Sequence, residues 1–138
     1  MKQNYECGRL IKHINDELEK QANNTLSSQN LTLAQMRVLM ELKSAEDNQL
    51  SLKELELLLH VAQSTAAGIV VRLEQKGYVK SFTDANDRRV KKVSVTPSGL
   101  ECCKNAQIHI NDMENQLLQS LTPDEKEQFY NLLQKICR

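Results

Sequence analysis

Tryptophan is absent from this 138-residue chain, and two Phe and three Tyr are its only aromatic residues. One domain of this length therefore has few large apolar groups to bury, and a second copy of the chain can supply the missing partner surface. Net charge is missing too. Eighteen Lys and Arg are balanced by eighteen Asp and Glu, which argues against a nonspecific nucleic-acid coat, a polybasic membrane anchor or an acidic tail. No apolar run is longer than those of Leu57-Leu58-Leu59 and Ile69-Val70-Val71, so the sequence offers neither a bilayer span nor a secretory signal core. The expected location is cytoplasmic, with no membrane partner. Only four Gly and two Pro exclude collagen-like and low-complexity classes and point to a mainly helical protein with long regular elements.

Cys7, Cys102, Cys103 and Cys137 contain no C-x-x-C pair, and an even cysteine count in a cytosolic chain is no evidence for disulfides. The separations Cys7 to His13 and Cys103 to His109 do not put two ligands on one helical face, so no metal site is expected. Cys7 falls on the stripe Cys7, Ile11, Ile14, Leu18, Ala22, whose spacings of three and four mark one face of a helix. A packed small hydrophobe is the plainer role for it, and a redox-active thiol is the alternative. A Gly-rich phosphate loop, H-E-x-x-H and G-x-S-x-G are all absent, so neither an enzyme nor a cofactor is expected.

Residues 5 to about 26 read as an amphipathic helix followed by a polar loop. Thr32-Leu33-Ala34-Gln35 has the spacing of a capping box and opens a second helix to about Lys43. Ser51-Leu52-Lys53-Glu54 repeats the device and opens a short helix with Leu52, Leu55, Leu58 and Leu59 inward. Gln63 to Lys76 reads as a fourth helix with Ala66, Val70 and Leu73 on one face and Gly77 at the stop position. From Tyr78 the period changes from 3.6 to 2. Residues 78–82 and 91–95 then form a β-hairpin around the turn formers of 84–89. A long helix follows with the stripe Cys103, Ala106, Ile110, Met113, Leu117, suited to packing along another helix. Thr122-Pro123-Asp124-Glu125 starts the last helix, which carries Phe129, Leu132, Leu133 and Ile136.

This order predicts a mainly α (α+β) fold: a winged helix-turn-helix with a two-stranded wing, flanked by N- and C-terminal dimerisation helices. A helix fits the major groove and a basic hairpin reaches the neighbouring backbone or minor groove. Residues 72–92 carry seven cations (Arg72, Lys76, Lys80, Arg88, Arg89, Lys91, Lys92) against Glu74, Asp84 and Asp87, a local +4 in a neutral chain. A basic hairpin alone is often only a solvated one. Behind a helical triplet it points to DNA.

The segments Leu31-Thr32-Leu33-Ala34-Gln35, Ser64-Thr65, Arg72 to Val79 and, above all, Asp87-Arg88-Arg89 with Val93 to Gly99 resemble the MarR family of bacterial transcriptional regulators. The wing pattern Asp-x-Arg-x-x-x-Val-x-Leu-Thr-x-x-Gly is met at Asp87, Arg89, Val93, Thr96 and Gly99, with Val95 in place of Leu. The resemblance covers essentially the whole chain. It implies a single MarR-type domain over 1–138, with about 32–99 as the winged helix-turn-helix and 1–31 and 100–138 as the dimerisation region. It also implies a homodimer that binds double-stranded DNA at a pseudo-palindromic operator, as a repressor relieved by a small-molecule effector that the sequence does not identify.

By the same resemblance, Gln63, Ser64 and Thr65 open the recognition helix, where polar side chains meet bases and phosphates. Arg72, farther along, contacts phosphate or forms an ion pair. Arg88 and Arg89 fall at the wing tip with Lys91 behind them, and Asp87 matches the acid that steadies the wing by pairing with an arginine. Ser51 and Lys53 sit where the family touches the DNA backbone, although capping alone explains Ser51. Ala67 and Gly68 depart from the pattern of a polar residue followed by Arg. Ala67 offers only an apolar contact, such as to a thymine methyl, and Gly68 allows close backbone approach, so specificity is expected to lean on the wing and on DNA shape. Cys7 lies loosely where one branch of the family has a peroxide-sensing cysteine, but Ile11 and Gln21 replace the tyrosines of that branch. A helical protein-interaction module without DNA binding, and a thiol-based regulator of the same fold, are the rival functions.

Overall fold

The computed structural model describes residues 6–137. Six helices and three strands follow one another as α1 (Cys7–Leu26), α2 (Leu33–Ser44), β1 (Gln49–Ser51), α3 (Leu52–Leu59), α4 (Gln63–Gln75), β2 (Val79–Thr83), β3 (Lys91–Val95), α5 (Pro97–Leu117) and α6 (Pro123–Ile136). The expected start of the first helix at residue 5 lies outside the described residues.

Three of the helices begin on a capping box. Thr32, Ser51 and Thr122 each accept a bond from the backbone N–H three residues on, and Gln35, Glu54 and Glu125 return it. Each box satisfies two backbone groups that a helix start leaves orphaned, which is why the short polar segments before these helices end where they do. At the other end of α3, His60 takes the left-handed conformation at φ 54°. Its N–H and that of Val61 turn back onto the carbonyls of Leu57 and Glu56 at 3.4 and 3.2 Å.

One core lies beneath α2. Met36, Val38, Leu39 and Leu42 of that helix are buried with Leu26 of α1, Leu55 of α3, Val70 and Leu73 of α4, Val79 and Val93 of the sheet, and Cys103, Ala106 and Met113 of α5. The stripe expected on α4 is buried, and the one expected on α5 enters the core from Cys103 to Met113, with Ile110 packed against it, while Leu117 at its end lies outside. Two tertiary bonds fix the start of α2: Asn23 Oδ1 of α1 accepts from the Leu33 N–H at 2.8 Å, and Gln35, the buried polar side chain here, accepts from Lys76 Nζ at 2.9 Å. Lys76 also donates to the carbonyl of Asn30.

Four expectations change. The wing is joined by a third strand: the sheet order is β1-β3-β2, antiparallel throughout, with Leu50 opposite Val93 on one side and Ser81 opposite it on the other. Gln49–Ser51 is too short to show an alternation in sequence, and the strand exists because the edge of β3 pairs with it. Leu58 is exposed rather than inward. The arc that α3 buries runs through Leu55 toward Leu52, Leu59 and Glu56, leaving Leu57 and Leu58 on the outer side. Cys7 is not packed either. The first half of its stripe, including Ile11 and Ile14, is exposed in the single chain, and α1 is buried only at Ala22 and Leu26. Lastly, Lys76, counted above among the wing cations, turns inward onto Gln35.

Candidate nucleic-acid interface

The bend between α3 and α4 is 111° across the break at 60–62, within the range of a helix-turn-helix. Ala62, the N-cap of α4, provides no side-chain cap. The first turn therefore points free N–H groups outward from Gln63, Ser64 and Thr65, all exposed, the arrangement that receives phosphates at a helix start.

The elements around that turn close into an open groove lined by Ser51, Leu52, Lys53, Glu56, Gln63, Arg89, Val90 and Lys91. Five residues singled out from the sequence thus converge here from three separate segments: Ser51 and Lys53 from the start of α3, Gln63 from α4, and Arg89 and Lys91 from the wing. The capping box that begins α3 brings Lys53 to the mouth of the groove, while the pairing of β1 with β3 brings the wing beside it. The groove holds three cations and one acid, Glu56, which lies 3.7 Å from Lys53 Nζ. Its balance is positive, as an anionic partner requires.

On the wing, Asp87 accepts from the backbone N–H and Nε of Arg89, both at 3.1 Å, and from Nη2 at 3.2 Å. The Arg89 guanidinium, with its backbone N–H in support, holds the Asp87 carboxyl below the usual aspartate range. Asp84 and Val90 close the loop base through a backbone bond of 2.9 Å. Arg88 is exposed at the tip, outside the groove lining. Ser64 and Thr65 lie on the exposed side of α4, and Ala67 is half-buried beside them. Arg72 is exposed in the last turn of α4 with no ion pair among the described residues, which leaves it open to phosphate and disfavours the ion-pair alternative.

Two positioning contacts were not anticipated. Glu74 of α4 accepts from the Ser81 N–H at 3.0 Å and so ties β2 to α4. At the wing's other end, Thr96 donates to the Gly77 carbonyl at 2.7 Å, accepts from the Gly99 N–H at 3.0 Å, and its own N–H reaches the Tyr78 carbonyl at 3.0 Å. This knot joins the end of α4, the start of β2, the end of β3 and the start of α5. The Thr-x-x-Gly spacing was the signal for it, because it is the spacing of a hydroxyl cap. No local signal marked Glu74.

Away from that groove, an apolar one lies between α1, the end of α5 and α6, lined among others by Ile11, Ile14, Leu18, Leu117, Phe129 and Leu133. No residue of α6 is fully buried. Burial pushes the Cys103 thiol up from its ordinary value, whereas Cys7 and Cys137 are exposed. Among the described residues no single helix is long and apolar enough to cross a membrane.

The sequence model of the MarR family matches residues 31–91, a span that runs from the start of α2 to the wing and contains the groove. The multiple antibiotic resistance protein MarR of Salmonella typhimurium is 32% identical over 130 residues, covering 94% of this chain and 89% of that protein. The transcriptional repressor MprA of Escherichia coli K12 is 26% identical over 93% of this chain and 73% of its own length. Among solved structures, a cysteine-to-serine mutant of E. coli MarR complexed with operator DNA matches with a TM-score of 0.85 and 30% identity over 95% of this chain and 93% of that one. The MepR–DNA complex of S. aureus matches with a TM-score of 0.86 at 24% identity, over 97% and 98% of the two chains, and so shares the fold.

Proposed function

From the premise that the chain belongs to the MarR family of transcriptional regulators, we propose that it is a cytoplasmic homodimeric repressor of a pseudo-palindromic operator, released by a small-molecule effector. In this assignment residues 32–99 bind DNA, and 1–31 with 100–138 form the dimer. The supporting observation is the groove that gathers Ser51, Lys53, Gln63, Arg89 and Lys91 beside the uncapped start of α4. A helix start, a helix-borne lysine and a wing arginine on one open face can engage a phosphate backbone and the major groove while the wing enters the adjacent minor groove.

In this reading Gln63 meets a base edge from the N-terminal end of α4, while Ser64 and Thr65 offer hydroxyls to bases or phosphates. Lys53, Arg72 and Lys91 neutralise phosphates; Arg88 and Arg89 serve the minor groove. Asp87 aims Arg89. Ser51 acts first as the cap of α3, since its hydroxyl already accepts from the Glu54 N–H at 3.0 Å. The effector would act by changing the spacing of the two DNA-binding lobes in the dimer, which shifts operator affinity as a coupling free energy between the two sites.

Selection from random duplexes with the full chain should enrich an inverted repeat with half-sites about one helical turn apart, bound with steep salt dependence. Screening metabolites and antibiotics for release of that duplex then identifies the effector. Failure to enrich any duplex would remove DNA binding and leave a protein-interaction module.

A further inference from the structure

The outward ridge of α4 carries no charge. On a helix, positions i, i+3, i+4 and i+7 share one face, and recognition helices of the homeodomain type place their base-contacting side chains with this spacing. Opposite the buried Ala66, Val70 and Leu73 of α4, that set is Ser64, Ala67, Gly68 and Val71. Ser64 and Gly68 are exposed, and Val71 remains 50% exposed although it is a branched hydrocarbon. A Cβ added at Gly68 would meet nothing within 4 Å. Packing therefore does not require glycine there, and helix propensity opposes it.

These four positions present one hydroxyl, methyl groups and bare backbone. None can form the paired bonds by which Arg or Lys recognises guanine and Asn or Gln recognises adenine. Methyl groups do match one major-groove feature, the 5-methyl of thymine. The gap at Gly68 removes the side chain that would hold the helix axis away from the base edges, so the short side chains flanking it reach the groove floor. The cations sit elsewhere, at Lys53, Arg89 and Lys91 in the neighbouring groove, so attraction to the backbone does not depend on this ridge.

We propose that α4 reads thymine by its 5-methyl group, with Val71 as a specificity-determining residue and Gly68 as the gap that lets it reach. The proposal rests on operator binding as inferred above. Its test uses the operator selected with the full chain and the same duplex carrying dU in place of dT, one position at a time, which removes a methyl and leaves every hydrogen-bonding edge unchanged. At the thymine facing Val71, dU is expected to weaken binding about fourfold, the worth of one buried methyl group. Val71→Ala should erase that penalty and leave those at other positions intact. Val71 is exposed, so an unchanged melting temperature separates this effect from unfolding. Gly68→Gln, whose Cβ would meet nothing within 4 Å, should lose the penalty as well. If the selected operator binds and no dU substitution matters, or if Val71→Ala leaves every penalty in place, thymine-methyl reading by Val71 is overturned while DNA binding stands. If no duplex is enriched, both fall together.

Discussion

Asp87 and Arg89, two residues apart on the wing loop, are joined at three points by one carboxylate, yet the Arg89 side chain stays 91% exposed. The pair is too exposed to add much to stability. Its effect is on direction: a fork of two parallel bonds fixes the plane of the guanidinium, and the backbone bond fixes the loop that carries it. The cation is aimed without being covered.

Arg89→Ala should therefore weaken operator binding and lower the slope of log affinity against log salt by about one, whereas Asp87→Asn should weaken affinity and leave that slope nearly unchanged, because the cation remains but its orientation is no longer held. Titrations of both variants across a salt series distinguish these outcomes. Equal slopes for Arg89→Ala and the wild type would take the wing out of the DNA contact.

The same pair fixes a pH dependence. Arg89 lowers the folded-state pKa of Asp87, so the contribution is complete above the ordinary aspartate range and is lost as pH falls through the lowered value. Wing order, followed by the NMR signal of the Arg89 Nε–H, should persist through neutral pH and disappear only below the ordinary aspartate range. In Asp87→Asn the signal should show no such transition.

Glycine is used in opposite ways at two positions. At Gly99 an added Cβ would fall 2.2 Å from the Tyr78 carbonyl oxygen and 2.8 Å from Val95 Cγ2. The Tyr78 carbonyl is held by the Thr96 N–H, and the Val95 backbone by its pairing with Val79 in the sheet. Gly99→Ala should cost about 1–3 kcal/mol, the usual range for overpacking, whereas Gly68→Ala, in open space, should stabilise by up to about 1 kcal/mol. Chemical denaturation of the two variants tests the contrast, and a stable Gly99→Ala would show that α5 can shift away from β2.

Much of this was legible because its causes are local. The capping boxes at Thr32, Ser51 and Thr122 bracket their own helices, the stripe Ala66, Val70, Leu73 declares the inner face of α4, and Asp87 to Gly99 spells out the wing. What was hidden depends on long-range partners. Lys76 looks like one more wing cation until Gln35 and Asn30, far back in the chain, draw it to the start of α2. The strand at Gln49–Ser51 has no pattern of its own and is made by β3. Cys7, Ile11 and Ile14 form a clear apolar stripe, but nothing along the chain says whether their own subunit covers it. Likewise, five candidate contacts could be named singly, but their meeting in one groove needed the 111° bend and the sheet order.

Lys76 gives a direct test of that distinction. Lys76→Met removes the donor to the Asn30 carbonyl and one of the two donors to Gln35 Oε1, which keeps its bond from the Thr32 N–H, while the aliphatic stem stays; the lost bonds are worth about 1 kcal/mol. The variant should melt earlier than the wild type but keep the same salt slope in operator binding. A reduced slope with unchanged stability would return Lys76 to the DNA-facing surface.

Leu10, Ile11 and Ile14 of α1 and Leu132 and Ile136 of α6 are exposed in the single chain, and the groove between these helices is lined mainly by apolar side chains with Asn15, Glu114 and Lys126 at intervals. Apolar exposure concentrated on two terminal helices is what a buried interface looks like when one partner is removed. None of α6 is fully buried, so the single chain gives that helix little tertiary stabilisation. Sedimentation at micromolar concentration should give twice the mass of the chain. Ile14→Asp, which would place an unpaired carboxylate in the interface, should shift the protein toward monomer and weaken operator binding, because the two half-sites are then no longer engaged by one linked pair of lobes. A wild-type chain that stays monomeric across the concentration range, or an Ile14→Asp variant that remains fully dimeric, would show that the terminal helices do not form the interface.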